Sequence, residues 1–184
     1  LARQRLLDIQ PSELCDDAAF LRRITLDVTG ALPTPDVVRA FLADETPDKR
    51  AKKIDALLAH PDYAALWATK FMDTLRVTGF TPASFPPQVQ HEYRAYEWLR
   101  GRLGENIPYD RFVERILTAT TREGLSLEEW AQEALKVARE EADGKAPTTY
   151  ASRKTLDLFW QRRMGTDVDH AIRVGHAFLG LRLE

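Results

Sequence analysis

The chain has 184 residues, enough for one large domain or two small ones whose core needs no disulfide or metal. Lys and Arg number 26 against 28 Asp and Glu, a formal net charge of −2, which excludes the basic excess that a nucleic-acid or anionic-membrane binder needs. The single cysteine, Cys15, excludes an internal disulfide and a multi-cysteine zinc site, and 44% apolar with 29% charged residues excludes a disordered or membrane-embedded chain.

In chain order, Asp16 or Asp17 caps a helix carrying Phe20, Leu21, Ile24 and Val28, and Gly30 ends it in the left-handed conformation. Thr34-Pro35 and Thr46-Pro47 repeat one device, a hydroxyl at the cap and a proline at the first helical position. The first predicts a short helix with Val38, Phe41 and Leu42 inward. The second predicts one with Ala51, Ile54, Leu57 and Leu58 inward and Lys49, Arg50, Lys52 and Lys53 outward. Pro61 opens the longest apolar stripe, Tyr63, Leu66, Trp67, Phe71 and Leu75, at spacings of three and four. Residues 79–90 hold Gly79, Pro82, Pro86 and Pro87 and predict an irregular connection. Tyr93, Tyr96, Leu99 and Leu103 then line another helix with Trp98 near the edge of the stripe, and Pro108 starts one with Phe112, Val113, Ile116 and Leu117 inward. Ser126 and Glu129 form a capping box ahead of Trp130, Ala134, Leu135 and Ala138. After a turn at 144–149, Leu156, Phe159, Trp160 and Arg163 continue the helical period, and a last helix runs from about Asp167 toward Gly180.

Ala and Leu, 23 of each, outnumber the 9 Val and 6 Ile about threefold, the preference of helices over strands. The expected fold is all-α, an irregular bundle of about eight or nine short to medium helices. It forms one domain over 1–184, with a subdivision into 1–78 and 91–184 around the proline-rich connection as the alternative. The apolar run 169–183 ends without polar punctuation, so the piece reads as cut from a longer protein.

No Gly-rich phosphate loop, Gly-x-Ser-x-Gly elbow or paired-histidine zinc motif is present in the sequence, and Cys15 has no base beside it. No catalytic residue and no metal ligand set is therefore expected, and the chain is not assigned as an enzyme. His60 reads as a boundary residue. His170 and His176 are six apart, about 600° around a helix, and do not share a face. His176, nearest the missing continuation, is the histidine to weigh as a haem-proximal ligand. Asp73 and Arg76 lie three apart, either as a helical ion pair or as an acid and base for a substrate. Tyr93, Arg94, Tyr96 and Trp98 either stack on sugar rings or a protein partner, or form a core face with an outward arginine. The candidate cleft is Asp73, Arg76, Tyr93 and Arg94. The pairs Arg22-Arg23 and Arg162-Arg163 and the run Lys49 to Lys53 read as solvated faces.

The run Cys15-Asp16-Asp17-Ala18-Ala19-Phe20-Leu21-Arg22-Arg23-Ile24-Thr25-Leu26-Asp27-Val28-Thr29-Gly30 followed by Leu32-Pro33-Thr34-Pro35 resembles the opening of a planctomycete-type, cytochrome-associated domain of unknown function. The stretches from Asp48-Lys49-Arg50 to Leu57-Leu58, the proline-then-tyrosine entry to the Trp67 helix, Ile107-Pro108-Tyr109-Asp110-Arg111-Phe112-Val113 and Ala177-Phe178-Leu179-Gly180-Leu181-Arg182-Leu183-Glu184 are similar too. The resemblance implies a large exported protein, periplasmic or at the cell surface, with further domains. It also implies a Cys-x-x-Cys-His motif, the c-type haem attachment pattern, directly after the Phe-Leu-Gly stretch. On this reading the chain carries no cofactor itself, and a c-type haem belongs to the full-length protein.

Two expectations follow. The first is a non-catalytic helical module whose partners are other domains of the same polypeptide, with no nucleic acid and no membrane insertion. The second is that the module lends part of an active site or a carbohydrate-binding cleft to a larger enzyme.

Overall fold

The computed structural model describes residues 13–77, 88–145, 148–161 and 166–180, with isolated positions 3, 6–8 and 10 before them. The described residues form ten helices and no strand, as the composition and capping pattern require, and eight of the helices run seven residues or longer. The chain divides into two compact units, Leu1–Tyr63 and Ala64–Glu184. The irregular connection expected at 79–90 does not extend to its last three residues, which already belong to the helix Gln88–Gly104; its other residues lie outside the described ones.

In the first unit, α1 (Asp17–Thr29) starts where Asp16 Oδ1 accepts the Ala19 N–H at 2.7 Å, and it stops at Gly30, φ 75°. Helix α2 (Pro35–Ala43) has the Thr34 cap and proline start read from the sequence. Helix α3 (Lys49–Leu58) does not start the same way. Asp44 Oδ1 accepts both the Thr46 N–H at 2.9 Å and its hydroxyl at 2.8 Å, so Thr46-Pro47 closes a turn and the helix begins two residues later. Leu21, Val28, Phe41 and Leu57 form the buried centre, and α1 packs on both α2 and α3.

The Lys49 to Lys53 run is not a uniformly solvated face. Lys49 Nζ and Arg50 Nη2 converge on the Asp17 carboxylate at 2.6 and 2.7 Å. The same two cations lie over the rings of Phe41 and Phe20, which stack with centroids 6.0 Å apart. Long basic side chains can lay their stems along apolar surface, so charge alone misled the sequence reading.

Helix α4 (Pro61–Leu75) starts in the last three residues of the first unit, and in the second unit it and α5 (Gln88–Gly104) are followed by α6 (Tyr109–Leu117) and α7 (Leu127–Ala142). The short turns α8 (Thr148–Ala151) and α9 (Leu158–Gln161) come next, then α10 (Asp167–Val174) and a π-helical turn, Gly175–Leu179. The capping boxes at Ser126–Glu129 and Thr166–Asp169 are both formed. Gly180, φ 62°, ends the last helical segment.

Three helical faces are rotated from their expected positions. Helix α4 buries Ala64, Ala68, Met72 and Leu75 most deeply, with Trp67 and Phe71 flanking them. Helix α5 buries Ala95, Trp98 and Leu99 completely, whereas Tyr93 is exposed. Helix α7 buries Val137, while Leu135 is exposed. In α4, alanine at the centre of the face brings neighbouring backbones close and the large rings fill the flanks, so apolar periodicity weighted toward large residues puts the centre one position off. Trp98, expected at an edge, is the largest fully buried side chain among the described residues. Its ring lies 6.0 Å from that of Phe112, which also packs on Phe71 at 4.9 Å.

The helical period expected through Leu156, Phe159, Trp160 and Arg163 is broken. The stretch 152–157 is non-helical between α8 and α9, and Leu156 N–H donates to the Arg115 carbonyl at 3.1 Å. Arg163 lies outside the described residues.

Two measurements probe this packing. Trp98→Ala empties a fully buried site and is expected to destabilise the chain by about 3–5 kcal/mol in urea unfolding; a loss below about 1 kcal/mol would remove Trp98 from the centre of the core. In the first unit, the Lys49 ammonium and then the Arg50 guanidinium hold the Asp17 carboxyl below the usual carboxylate range. The unfolded chain takes up that proton first, so this stabilisation is present above about pH 4 and is lost as pH falls toward the lower native value. Amide exchange in α1 and α3 should show that loss, and Asp17→Asn should remove it; the same pH profile for both proteins would exclude the role.

Candidate functional site

The non-helical link after α8 gathers the buried charges of the second unit. Tyr150 ends up three residues before Arg153 and seven before Asp157, and all three side chains are buried. The Tyr150 hydroxyl donates to Asp157 Oδ1 at 2.6 Å, and Arg153 Nη1 lies 3.7 Å from the same oxygen. Arg153 Nη2 donates to the Thr121 carbonyl at 2.8 Å and to that of Thr120 at 3.3 Å. Its Nε lies 3.6 Å from Glu123 Oε2 and, among the described residues, has no hydrogen-bond acceptor.

Glu123 sits in the left-handed region, φ 49°, a conformation that costs a non-glycine residue about 1 kcal/mol or more. It is held there because Oε1 accepts the Thr155 N–H at 2.6 Å and the Thr155 hydroxyl as well. The loop between α6 and α7 is thereby stitched to the link between α8 and α9. Burial, and then the neighbouring Asp157 charge, pushes the Tyr150 phenol well above its ordinary value, so it stays a donor.

Beside this network lies a cleft of about 350 Å³ whose walls include Arg94, Trp130, Glu133, Tyr150, Arg153 and Asp157. Arg94, on α5, forms a two-pronged pair with Glu141 on α7, with Nη2 to Oε2 at 2.7 Å and Nε on Oε1. The Glu141 side chain is almost wholly buried, so this pair ties the two helices together at the edge of the cleft.

Of the four residues read as a cleft from the sequence, only Arg94 lines this one. Asp73 and Arg76 are exposed, as is Tyr93. The Arg76 backbone leaves the helix after Leu75 with φ 50°, and its N–H donates to the Asp73 carbonyl at 3.1 Å. That turn takes the arginine side chain out of the three-residue helical register, and among the described residues no ion pair joins it to Asp73.

His176 is exposed on the π-helical turn. His170 meets the edge of Trp160 at 5.6 Å, with Nε2 buried and, among the described residues, without a hydrogen-bond partner. His60 Nδ1 accepts the Asp62 N–H at 3.2 Å, a boundary role. The Cys15 carbonyl accepts from Arg50 Nη2 at 2.8 Å. Among the described residues, no cluster of three or more His, Cys, Asp or Glu could hold a metal ion, and no helix is long and apolar enough to cross a membrane.

Sequence reasoning missed Glu123, Trp130, Glu141, Tyr150, Arg153 and Asp157 as a group. Tyr150, Arg153 and Asp157 stand at spacings of three and four, which a helical reading takes for one ordinary face. Arg94 pairs with a residue 47 positions away, and Arg153 reaches carbonyls 32 and 33 away. No local pattern marks such partners.

The chain belongs to the PSCyt2 family, described as a protein of unknown function (DUF1549), whose model matches residues 1–184. No curated protein and no solved structure matches it.

Arg153→Met should destabilise the chain by about 3 kcal/mol, because it removes the cation beside buried Asp157 and leaves the Thr120 and Thr121 carbonyls without their donor. Asp157→Asn should cost less, since an amide oxygen still accepts from Tyr150. Urea midpoints for the two variants measure the order, and an equal or reversed loss would contradict the account of the network.

Proposed function

We propose that the chain is a non-catalytic helical module of a larger exported protein, seated against a neighbouring domain that carries the chemistry. On the family resemblance, that neighbour is a c-type haem domain. The observation that carries the proposal is the two-sidedness of the C-terminal helical segment. On its inner side, Phe178 packs against the core, its ring 5.8 Å from that of Phe159, with Val174 and Ala177 beside it. Elsewhere on the segment, Val168 and Leu179 are 66% and 67% exposed, with His176 exposed between them in sequence. Exposed apolar side chains on a docked helix are what a second domain would cover.

The ionisable groups around the cleft support the non-catalytic half of the reading. Tyr150 serves Asp157, Arg153 serves backbone carbonyls, and Arg94 serves Glu141, which is the pattern of a structural network.

A c-type haem is attached through a Cys-x-x-Cys-His motif. With Cys15 as its one cysteine, this chain does not fit that attachment. The haem would be held by other polypeptide, and this chain would offer only the exposed imidazole of His176.

Amide exchange compares the chain alone with the full-length protein. Residues 167–180 should gain at least about tenfold protection in the longer protein, and Leu179→Asp should remove most of that gain. Equal protection in both would overturn the docking. Visible absorption of the full-length protein and its His176→Ala variant separates the haem contact from docking: a shifted spectrum is expected, and an unchanged one removes His176 as a ligand.

A further inference from the structure

Two side chains in the wall of the cleft are left over after the internal network is complete. Trp130 and Glu133 are half-buried on α7, three residues apart and hence adjacent on one face. Among the described residues, neither the indole N–H nor the carboxylate has a hydrogen-bond or ion-pair partner. The rest of the wall is fixed in advance. Arg94 is clamped by Glu141, and Arg153 and Asp157 are held by Tyr150 and the Thr120 and Thr121 carbonyls. A preformed wall with a few spare polar groups is the usual build of a small-molecule site.

The chemistry of the wall selects the ligand. The cations of the wall are already spent, Arg94 on Glu141 and Arg153 on Asp157 and Glu123, and leave no free positive charge for an anion. The spare groups ask for opposite things, since the carboxylate needs a donor and the indole N–H needs an acceptor. A hydroxyl supplies both. The indole of Trp130 offers an apolar surface for the C–H face of a saturated ring. A volume of about 350 Å³ lies at the small end of the roughly 300–1,000 Å³ range of ligand sites and suits one or two rings.

We propose that the cleft between α7 and the α8–α9 link binds a neutral saccharide of one or two rings, with Trp130 as the stacking platform and Glu133 as the hydroxyl acceptor. This goes beyond the docking proposed for the C-terminal segment and shares no residue with it, so either can fail alone.

The test uses the whole 184-residue chain. The Trp130 indole N–H and the Ala134 amide resonances are followed during titration with glucose, galactose, cellobiose and maltose. Glucuronate and glucosamine serve as charged counterparts. At least one neutral sugar should move both resonances to saturation with a Kd of about 1 mM. Glu133→Gln should weaken that binding about tenfold, and Trp130→Ala, read at Ala134, should weaken it by at least as much. Both side chains are half-exposed, and each variant's amide spectrum checks that the fold is kept; if Trp130→Ala disturbs it, Glu133→Gln decides alone. Three results would overturn the proposal: no movement up to about 50 mM sugar, tighter binding of glucuronate or glucosamine than of every neutral sugar, or unchanged affinity in Glu133→Gln.

Discussion

The second unit depends on one hydrogen bond inside its core. The indole N–H of Trp98, on a fully buried side chain, donates to the Arg153 carbonyl at 3.0 Å. A tryptophan buried this deeply must find an acceptor or lose the solvation of its N–H, about 1–3 kcal/mol. Carbonyls inside a helix already accept a backbone N–H, whereas those of a non-helical stretch are free for a side-chain donor. The non-helical link 152–157 supplies such a carbonyl, and that same irregularity carries Arg153 and Asp157 into the interior. Breaking the helix between α8 and α9 thus serves the core and the cleft together.

Both units place charged groups against apolar rings and hold them by pairing. In the first, Asp17 receives Lys49 and Arg50 beside Phe20 and Phe41. In the second, Arg153 stands over the Tyr150 ring at 5.3 Å while its guanidinium reaches carbonyls and carboxylates. A buried pair adds little net stability compared with well-packed apolar groups, but removing one member is costly. Such pairs therefore fix which elements meet more than they deepen the energy. Glu123 fits this account: its left-handed backbone is tolerated because its carboxylate secures Thr155 and faces Arg153.

Membership of the PSCyt2 family, described only as of unknown function, leaves the role of the chain to be argued from its surfaces. Two surfaces differ in character. The C-terminal segment presents exposed apolar side chains and an imidazole, and the cleft presents a spare carboxylate beside an indole. The first suits a protein neighbour and the second a small polar molecule. A module that holds a ligand beside a chemically active domain would use both.

The helices were legible from the residues because capping and helical periodicity act over three or four positions. Asp16, Thr34 and Ser126 cap the helices they were expected to cap, and Gly30 and Gly180 end theirs. Thr46 failed as a cap because Asp44 competes for it, a local contest that the cap rule does not weigh. Arg94 alone of the expected cleft residues lines the cleft that forms. Composition and short-range signals by themselves determined that the chain is helical and where most helices begin and end. Only the tertiary structure decided which face of each helix turns inward and which charges meet, because Arg94 with Glu141 and Arg153 with Thr121 are brought together by packing across dozens of residues, where no local interaction selects a partner.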